Sequence, residues 1–246
     1  MRIELERGEG WCEIRSVISQ AKPDDRNQAS AILGAIYSFQ LLSAYNSSEA
    51  PPKVESVLNQ EADLTRFASL PQMSVLTQSE IRGKLEELRD DELVEYNDGG
   101  TFRLKPAGRE MITVVLTGGA FDIIHPGHVE TLQKAKSLGD VLVVSVARNA
   151  TYARNRKKSP LHDETLRRDL VQSLKSVDAA ILGSSIDIFE TVLSVRPDII
   201  ALGYDQSHNE DGLRREIERR KIECKIVRLD SSVPSIKSSK IINEFY

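Results

Sequence analysis

Cys12 and Cys224 are the only cysteines in 246 residues. Two thiols so far apart make neither a disulfide framework nor a zinc pattern, and they fit a chain kept in a reducing interior. No run of 18 apolar residues occurs and no basic-then-apolar leader opens the chain, so a soluble, unprocessed, cytoplasmic protein with no membrane partner is expected. An excess of positive charge is missing too: Lys and Arg number 33 against 37 Asp and Glu, a formal net charge of -4. That balance argues against general affinity for nucleic acid or acidic membrane, although it leaves room for a local basic patch. Internal repeats and low-complexity tracts are lacking as well. What remains, 40% hydrophobic and 28% charged, is ordinary globular composition with enough apolar residues for a real core.

The chain divides by pattern into three parts. Residues 1–27 form a polar arm with only Trp11, Ile14, Val17 and Ile18 to anchor it. Residues 28–111 read as mainly helical. Ile32, Leu33, Ile36, Phe39 and Leu42 share a helix face, Val54 to Leu58 starts a short helix, and Leu64, Phe67 and Leu70 suggest a third. Thr77-Gln-Ser-Glu80 is a capping box leading into Ile81, Leu85 and Leu88. Val94–Tyr96 and Thr101–Leu104 then flank Asn-Asp-Gly-Gly, the signature of a hairpin.

From residue 112 to 246 apolar strands alternate with amphipathic helices. Strands are expected at Ile112–Leu116, Val141–Val146, Ala179–Leu182, Asp198–Leu202 and Cys224–Val227. Helices are expected near His128–Leu138, Glu164–Leu174, Ile186–Val195 and Gly212–Lys221, with a last one from Ser238 to Phe245. Such alternation predicts an α/β fold, a Rossmann-like doubly wound parallel sheet covered on both faces. The first strand breaks at Gly118-Gly119, where a parallel sheet opens onto a ligand. His125 and His128 follow at the spacing His-x-Gly-His, with Val129, Leu132, Ala135 and Leu138 behind them on one helix face. Both imidazoles therefore fall at a helix N-terminus, which is an anion site with donors added. The same pair could be a surface pair or half of a zinc site, but His162, His208, Cys12 and Cys224 show no supporting spacing.

Gly-Gly-Ala-Phe-Asp-x-x-His-x-Gly-His resembles the signature of the cytidylyltransferase-like nucleotidyltransferases, and the resemblance runs from about Thr113 to the C-terminus. It implies attack by a phosphate of one substrate on the α-phosphorus of a nucleoside triphosphate, with pyrophosphate leaving and no covalent enzyme intermediate. In that reading His125 and His128 are donors to the triphosphate and Gly127 keeps space for the nucleotide. Thr117, Gly118, Gly119, Ala120 and Phe121 form the phosphate loop, and Asp122 holds that loop or orients a histidine. Arg148 stands at the end of the second strand, whose C-terminal end points into the same crevice, and the basic run Arg154–Pro160 follows, so cations there would meet the phosphates. The family has a phosphate-contacting lysine in this loop, which Lys157 or Lys158 matches, with Lys158 preferred because it stands just before Ser-Pro. Arg167 and Arg168 are less secure as phosphate contacts, with plain cover of the helix surface as the alternative for either. Gly203, Tyr204 and Asp205 stand where the nucleotide's base lies. Ser238 and Ser239 match the hydroxyl pair of the family's second signature, although Ser235 and Lys237 depart from its usual form.

Gly-Tyr-Asp-Gln, Ala-Ile-Leu-Gly and Ser-Ser-Lys-Ile-Ile are most similar to the archaeal FAD synthases within this family. That similarity implies ATP and FMN as substrates, FAD and pyrophosphate as products, and a divalent cation, Mg2+, on the triphosphate, with no carboxylate cluster dedicated to it. The alternative substrates are CTP and a small phosphorylated alcohol such as glycerol phosphate. Residues 28–111 resemble a winged helix-turn-helix domain. Its presumed recognition helix mixes Arg82, Lys84 and Arg89 with Glu80, Glu86, Glu87 and Asp90, a poor surface for phosphates, so packing, dimerisation or effector sensing is favoured over DNA. A DNA-binding regulator with a nucleotide-sensing domain is the contrasting class. A homo-oligomer, most simply a dimer, is the expected assembly.

Overall fold

The computed structural model describes residues 23–68, 73, 76–97, 99–204, 210–233, 236, 238 and 241, with backbone alone at 23–27 and 66. Most of the N-terminal arm and most of the last helix lie outside the described residues, as do Cys12, Asp205, His208 and Ser239.

The C-terminal half is built on a parallel sheet of β4 (Val114–Gly119), β5 (Val141–Val146), β6 (Ala179–Leu182), β7 (Ile199–Leu202) and β8 (Lys225–Arg228). Its spatial order is β6-β5-β4-β7-β8. The chain starts in the middle, winds outward one way through β5 and β6, then returns to the other side. The switch point therefore falls between β4 and β7, where such sheets bind ligands at the strands' C-terminal ends. Alternate residues feed opposite faces. Val115, Leu142, Val144 and Ala180 pack under α6 (Pro126–Lys136) and α8 (Glu164–Gln172) through Leu132, Ala135 and Val171. Val114, Val143, Ala179 and Ile181 face the other way, toward α9 (Ile188–Val195) and α10 (Glu210–Arg219). The strands are near-continuously apolar because both faces are buried.

That second face is completed from the N-terminal half. Helix α1 (Pro23–Asn46) lies against β6 and β5, and Ile32, Leu33, Ile36, Tyr37 and Leu41 share one core with the sheet. Gly34 makes the approach possible, since a Cβ there would come within 2.9 Å of Val141 Cγ2. The Tyr37 hydroxyl donates to Val195 O at 2.6 Å, and Arg109 donates to Arg196 O and pairs with Asp198 at 3.1 Å. Residues 28–111 and 112–246 thus pack as one body across this face.

The rest of the N-terminal half comprises α2 (Val54–Leu58), β1 (Ala62–Asp63), α3 (Leu64–Ala68), α4 (Gln78–Asp90), β2 (Val94–Tyr96) and β3 (Thr101–Leu104), followed by α5 (Pro106–Glu110). The strands make a small antiparallel sheet of order β1-β3-β2. Thr77 and Glu80 form the reciprocal cap expected of α4. Lys84 bonds Glu87 and Arg89 bonds Asp90, so these cations are spent on neighbouring carboxylates of α4. Three described elements escaped the sequence pattern: the two-residue β1, too short to alternate, the five-residue α5, and α7 (Asn149–Arg156), which takes in the start of the basic run. Among the described residues no helix is long and apolar enough to cross a membrane.

Candidate active site

β4 runs through the glycine pair instead of stopping at it, pairing Gly118 with Ser145 and Gly119 with Val146. A Cβ on Gly119 would stand 2.8 Å from the Phe121 ring, so that position is small to admit the phenyl group beneath it. Phe121 itself takes a left-handed backbone, φ 53°, a conformation that costs a bulky residue about 1–3 kcal/mol and persists only where packing enforces it. Its ring is buried and tilts against His128 with centroids 5.2 Å apart.

His125 is the extended N-cap of α6, Pro126 supplies the first-turn φ, and His128 lies one turn in. The two imidazoles stack with centroids 3.9 Å apart and planes 28° from parallel. A Cβ on Gly127 would lie 3.1 Å from the His125 ring, so this glycine protects the stack as well as any ligand space. Two ring systems at the positive end of a helix are an arrangement chemically able to offer donors to a polyanion.

Asp122 sits among backbone donors of a distant segment. Its carboxylate, 4% exposed, accepts from Leu161 N and His162 N, both at 3.0 Å, and from the Tyr152 hydroxyl at 3.2 Å. It therefore fastens residues 161 and 162, just past the basic run, to the loop after β4. Burial, and then the Asp122 carboxylate, raise the Tyr152 phenol above its ordinary range, which keeps it a donor.

Arg167 overturns the surface-cover reading. The residue is 1% exposed and donates to Ala120 O at 2.5 Å, Ala147 O at 2.8 Å, His162 O at 3.0 Å and Asn149 Oδ1 at 2.9 Å. One guanidinium thus ties the phosphate loop, the turn after β5 and the end of the basic run. Desolvation lowers its pKa, but an arginine starts so high that it keeps its charge. Sequence reasoning missed it because Leu166 and Leu170 look like the inward face of α8. Those leucines are 60% and 50% exposed, while Arg167 and Val171, four apart, point inward. Val171 beside Arg167 was the available signal. Arg168 pairs instead with the exposed Asp169.

The remaining candidates divide between bonded supports and open positions. Arg148, the N-cap of α7, donates to Gly183 O, to Glu164 at 3.0 Å and to Glu49 O at 2.7 Å, tying the N-terminal half to this edge. Lys157 ends α7 in a left-handed conformation, and both it and Lys158 are exposed. The Thr117 hydroxyl donates to Ala201 O at 2.8 Å, inside the sheet across the switch point. Gly203 and Tyr204 follow β7 at the same edge, with Gly203 O accepting from Arg228. The Ser238 hydroxyl donates to Ile123 O at 3.2 Å, which brings the second signature against the first. Asp205 and Ser239 lie outside the described residues.

Among the described residues no group of three His, Cys, Asp or Glu side chains could hold a metal. Asp122, the buried carboxylate nearest the histidines in sequence, is occupied by its three donors.

A family model described as cytidylyltransferase-like matches residues 116–244. The chain is 51% identical over 119 residues to the FAD synthase of Aciduliprofundum boonei, covering 48% of this chain and 78% of that one. It is 46% identical over 134 residues to the FAD synthase of Thermoplasma acidophilum, covering 54% of this chain and 93% of that one. A solved structure, the lipopolysaccharide core biosynthesis protein from Thermoplasma volcanium GSS1, is 48% identical, covering 49% of this chain and 98% of that one with a TM-score of 0.47.

Proposed function

The chain belongs to the cytidylyltransferase-like family, and on that premise we propose that it is an FAD synthase, transferring AMP from ATP to FMN. The observation that carries the reading is the stacked His125–His128 pair at the N-terminus of α6, in a chain about half identical to FAD synthases over most of their length. An FMN phosphate oxygen attacks the α-phosphorus of ATP, the bond to the β-phosphate oxygen breaks, and pyrophosphate leaves. No enzyme nucleophile is required. The protein aligns two polyanions and meets negative charge as it develops, the work suited to fixed donors at a helix start.

In this proposal His125, His128 and the backbone of residues 117–121 hold the triphosphate, and Lys158 contributes charge from the basic run. Gly203, Tyr204 and Asp205 border the base, and Ser238 with Ser239 offers hydroxyls from the opposite side. Mg2+ arrives as part of the nucleotide, in keeping with a site whose described carboxylates are engaged elsewhere. We read residues 28–111 as a winged helix whose first helix serves as a layer of the catalytic sheet; the pairing of Lys84 and Arg89 with carboxylates of α4 itself favours packing over DNA.

Pyrophosphate release tests the assignment directly. Release is expected with ATP plus FMN and not with CTP plus glycerol phosphate. The reverse result, or no release with ATP plus FMN, overturns it.

A further inference from the structure

We propose that the cavity between α7 and the end of the basic run receives the isoalloxazine ring of the acceptor. The inference rests on the FAD synthase reading and assigns the acceptor side of that site.

The cavity is about 480 Å³, within the size range of small-molecule sites. Ala150 and Ala153 of α7 and Pro160 line it, small or flat apolar surfaces suited to a planar ring. Asn149 and Asp163 are also wall residues. The Asn149 amide donates to Asp163 Oδ2 at 2.9 Å and its oxygen accepts from Arg167, so that wall is braced before any ligand arrives.

Ser159 and His162 supply the polar handles. His162 Nδ1 lies 2.9 Å from Asp122 O, and a carbonyl can only accept, so Nδ1 carries the proton in this contact. With Nδ1 engaged there, Nε2 is the ring nitrogen left for a ligand, and in the Nδ1–H tautomer it is an acceptor. An acceptor beside a hydroxyl matches an imide edge, in which N–H is flanked by two carbonyls. Lys157 and Lys158 stand exposed in the same run and place positive charge where the acceptor's phosphate would enter.

Topology gives the same placement. α7 rises from the C-terminal end of β5, which neighbours β4 on the side away from β7. With the triphosphate at β4 and the base at the loop after β7, the acceptor comes from the β5 side. Three adjacent strands then carry base, reacting phosphates and acceptor ring in turn.

The test uses the full chain with Ala150→Trp, an exposed position where added bulk fills the cavity without entering the core. Flavin fluorescence measures FMN binding without ATP, and pyrophosphate release gives KM for each substrate. KM for FMN should rise about tenfold or more while KM for ATP stays within about twofold, because only acceptor binding is obstructed. Ser159→Ala, too small a change to unfold the chain, should raise KM for FMN about threefold with KM for ATP unchanged, the cost of one hydrogen bond. If the wild type turns over FMN and both variants keep its KM for FMN, the cavity assignment is overturned and the functional reading stands. If the wild type neither binds nor turns over FMN, both fall.

Discussion

His125 with His128 and Arg167 stand at the same end of the same sheet and behave oppositely. The histidines stack on one another at a helix start, partly open to a ligand. Arg167 is shut away from solvent and spends its donors on the carbonyls of three segments at this end of the sheet. On the proposed reading, one group meets substrate and the other fixes what meets it. A transfer with no covalent intermediate depends on alignment, so the hidden support should cost activity nearly as surely as the visible pair.

The largest effect should come from the histidines. His125→Ala and His128→Ala are each expected to lower kcat by about 10²–10³, the usual loss on removing one stabilising donor. Melting temperature should hardly move, since neither ring is a core side chain. Near-normal rates in both variants would refute the assignment, and early melting would erase the contrast with Arg167.

Arg167→Met should show the second pattern, with activity and stability falling together. It strips donors from buried carbonyls, each worth about 1–3 kcal/mol, and a chain of this size loses roughly 2–4 °C in Tm per kcal/mol. A fall of around tenfold in kcat should accompany the lower Tm as the three segments loosen. Arg167→Lys keeps the charge without the planar fork and should recover little. Unchanged Tm with lost activity would make Arg167 a ligand contact and break the comparison from the other side.

The same contrast explains what the sequence disclosed. Val141–Val146 and Ala179–Leu182 stand where expected because a strand buried on both faces must be a short apolar run, and that shows in residue types alone. The His-x-Gly-His spacing is equally visible, since a helix start must carry both rings on neighbouring positions. Long-range pairings leave no such trace. Asp122 holding residues 161 and 162, or Glu49 O accepting from Arg148 across 99 positions, depends on how the chain folds back. α1 is an intermediate case: its apolar face was plain, but the surface it covers was not. The basic run concealed α7 because its residues, Asn149 to Arg156, are polar or charged except for two alanines and the buried Tyr152.

The smallest expected effect lies at the start of the helix that carries Arg167. Asp163 caps α8, with Oδ1 accepting from the Thr165 hydroxyl at 2.7 Å and its N–H at 2.9 Å, while Oδ2 accepts from Asn149. The Thr165 hydroxyl, then its N–H, then the Asn149 amide hold the carboxyl at about 2, down from its ordinary 3.8. A folded-state value below the unfolded one means that the unfolded chain binds the proton first on acidification. The stability contributed by the cap is therefore fully present above about pH 4 and lost as pH falls through about 2. Asp163→Ala should melt below the wild type at neutral pH, and the gap between them should close as pH drops through that window. Glu130 and Glu216 are also held at about 2, but both proteins carry them, so the difference isolates Asp163. A gap that stays constant from pH 5 to 2 would mean that the carboxylate's charge contributes nothing to the cap, and that α8, with Arg167 on it, is positioned by packing alone.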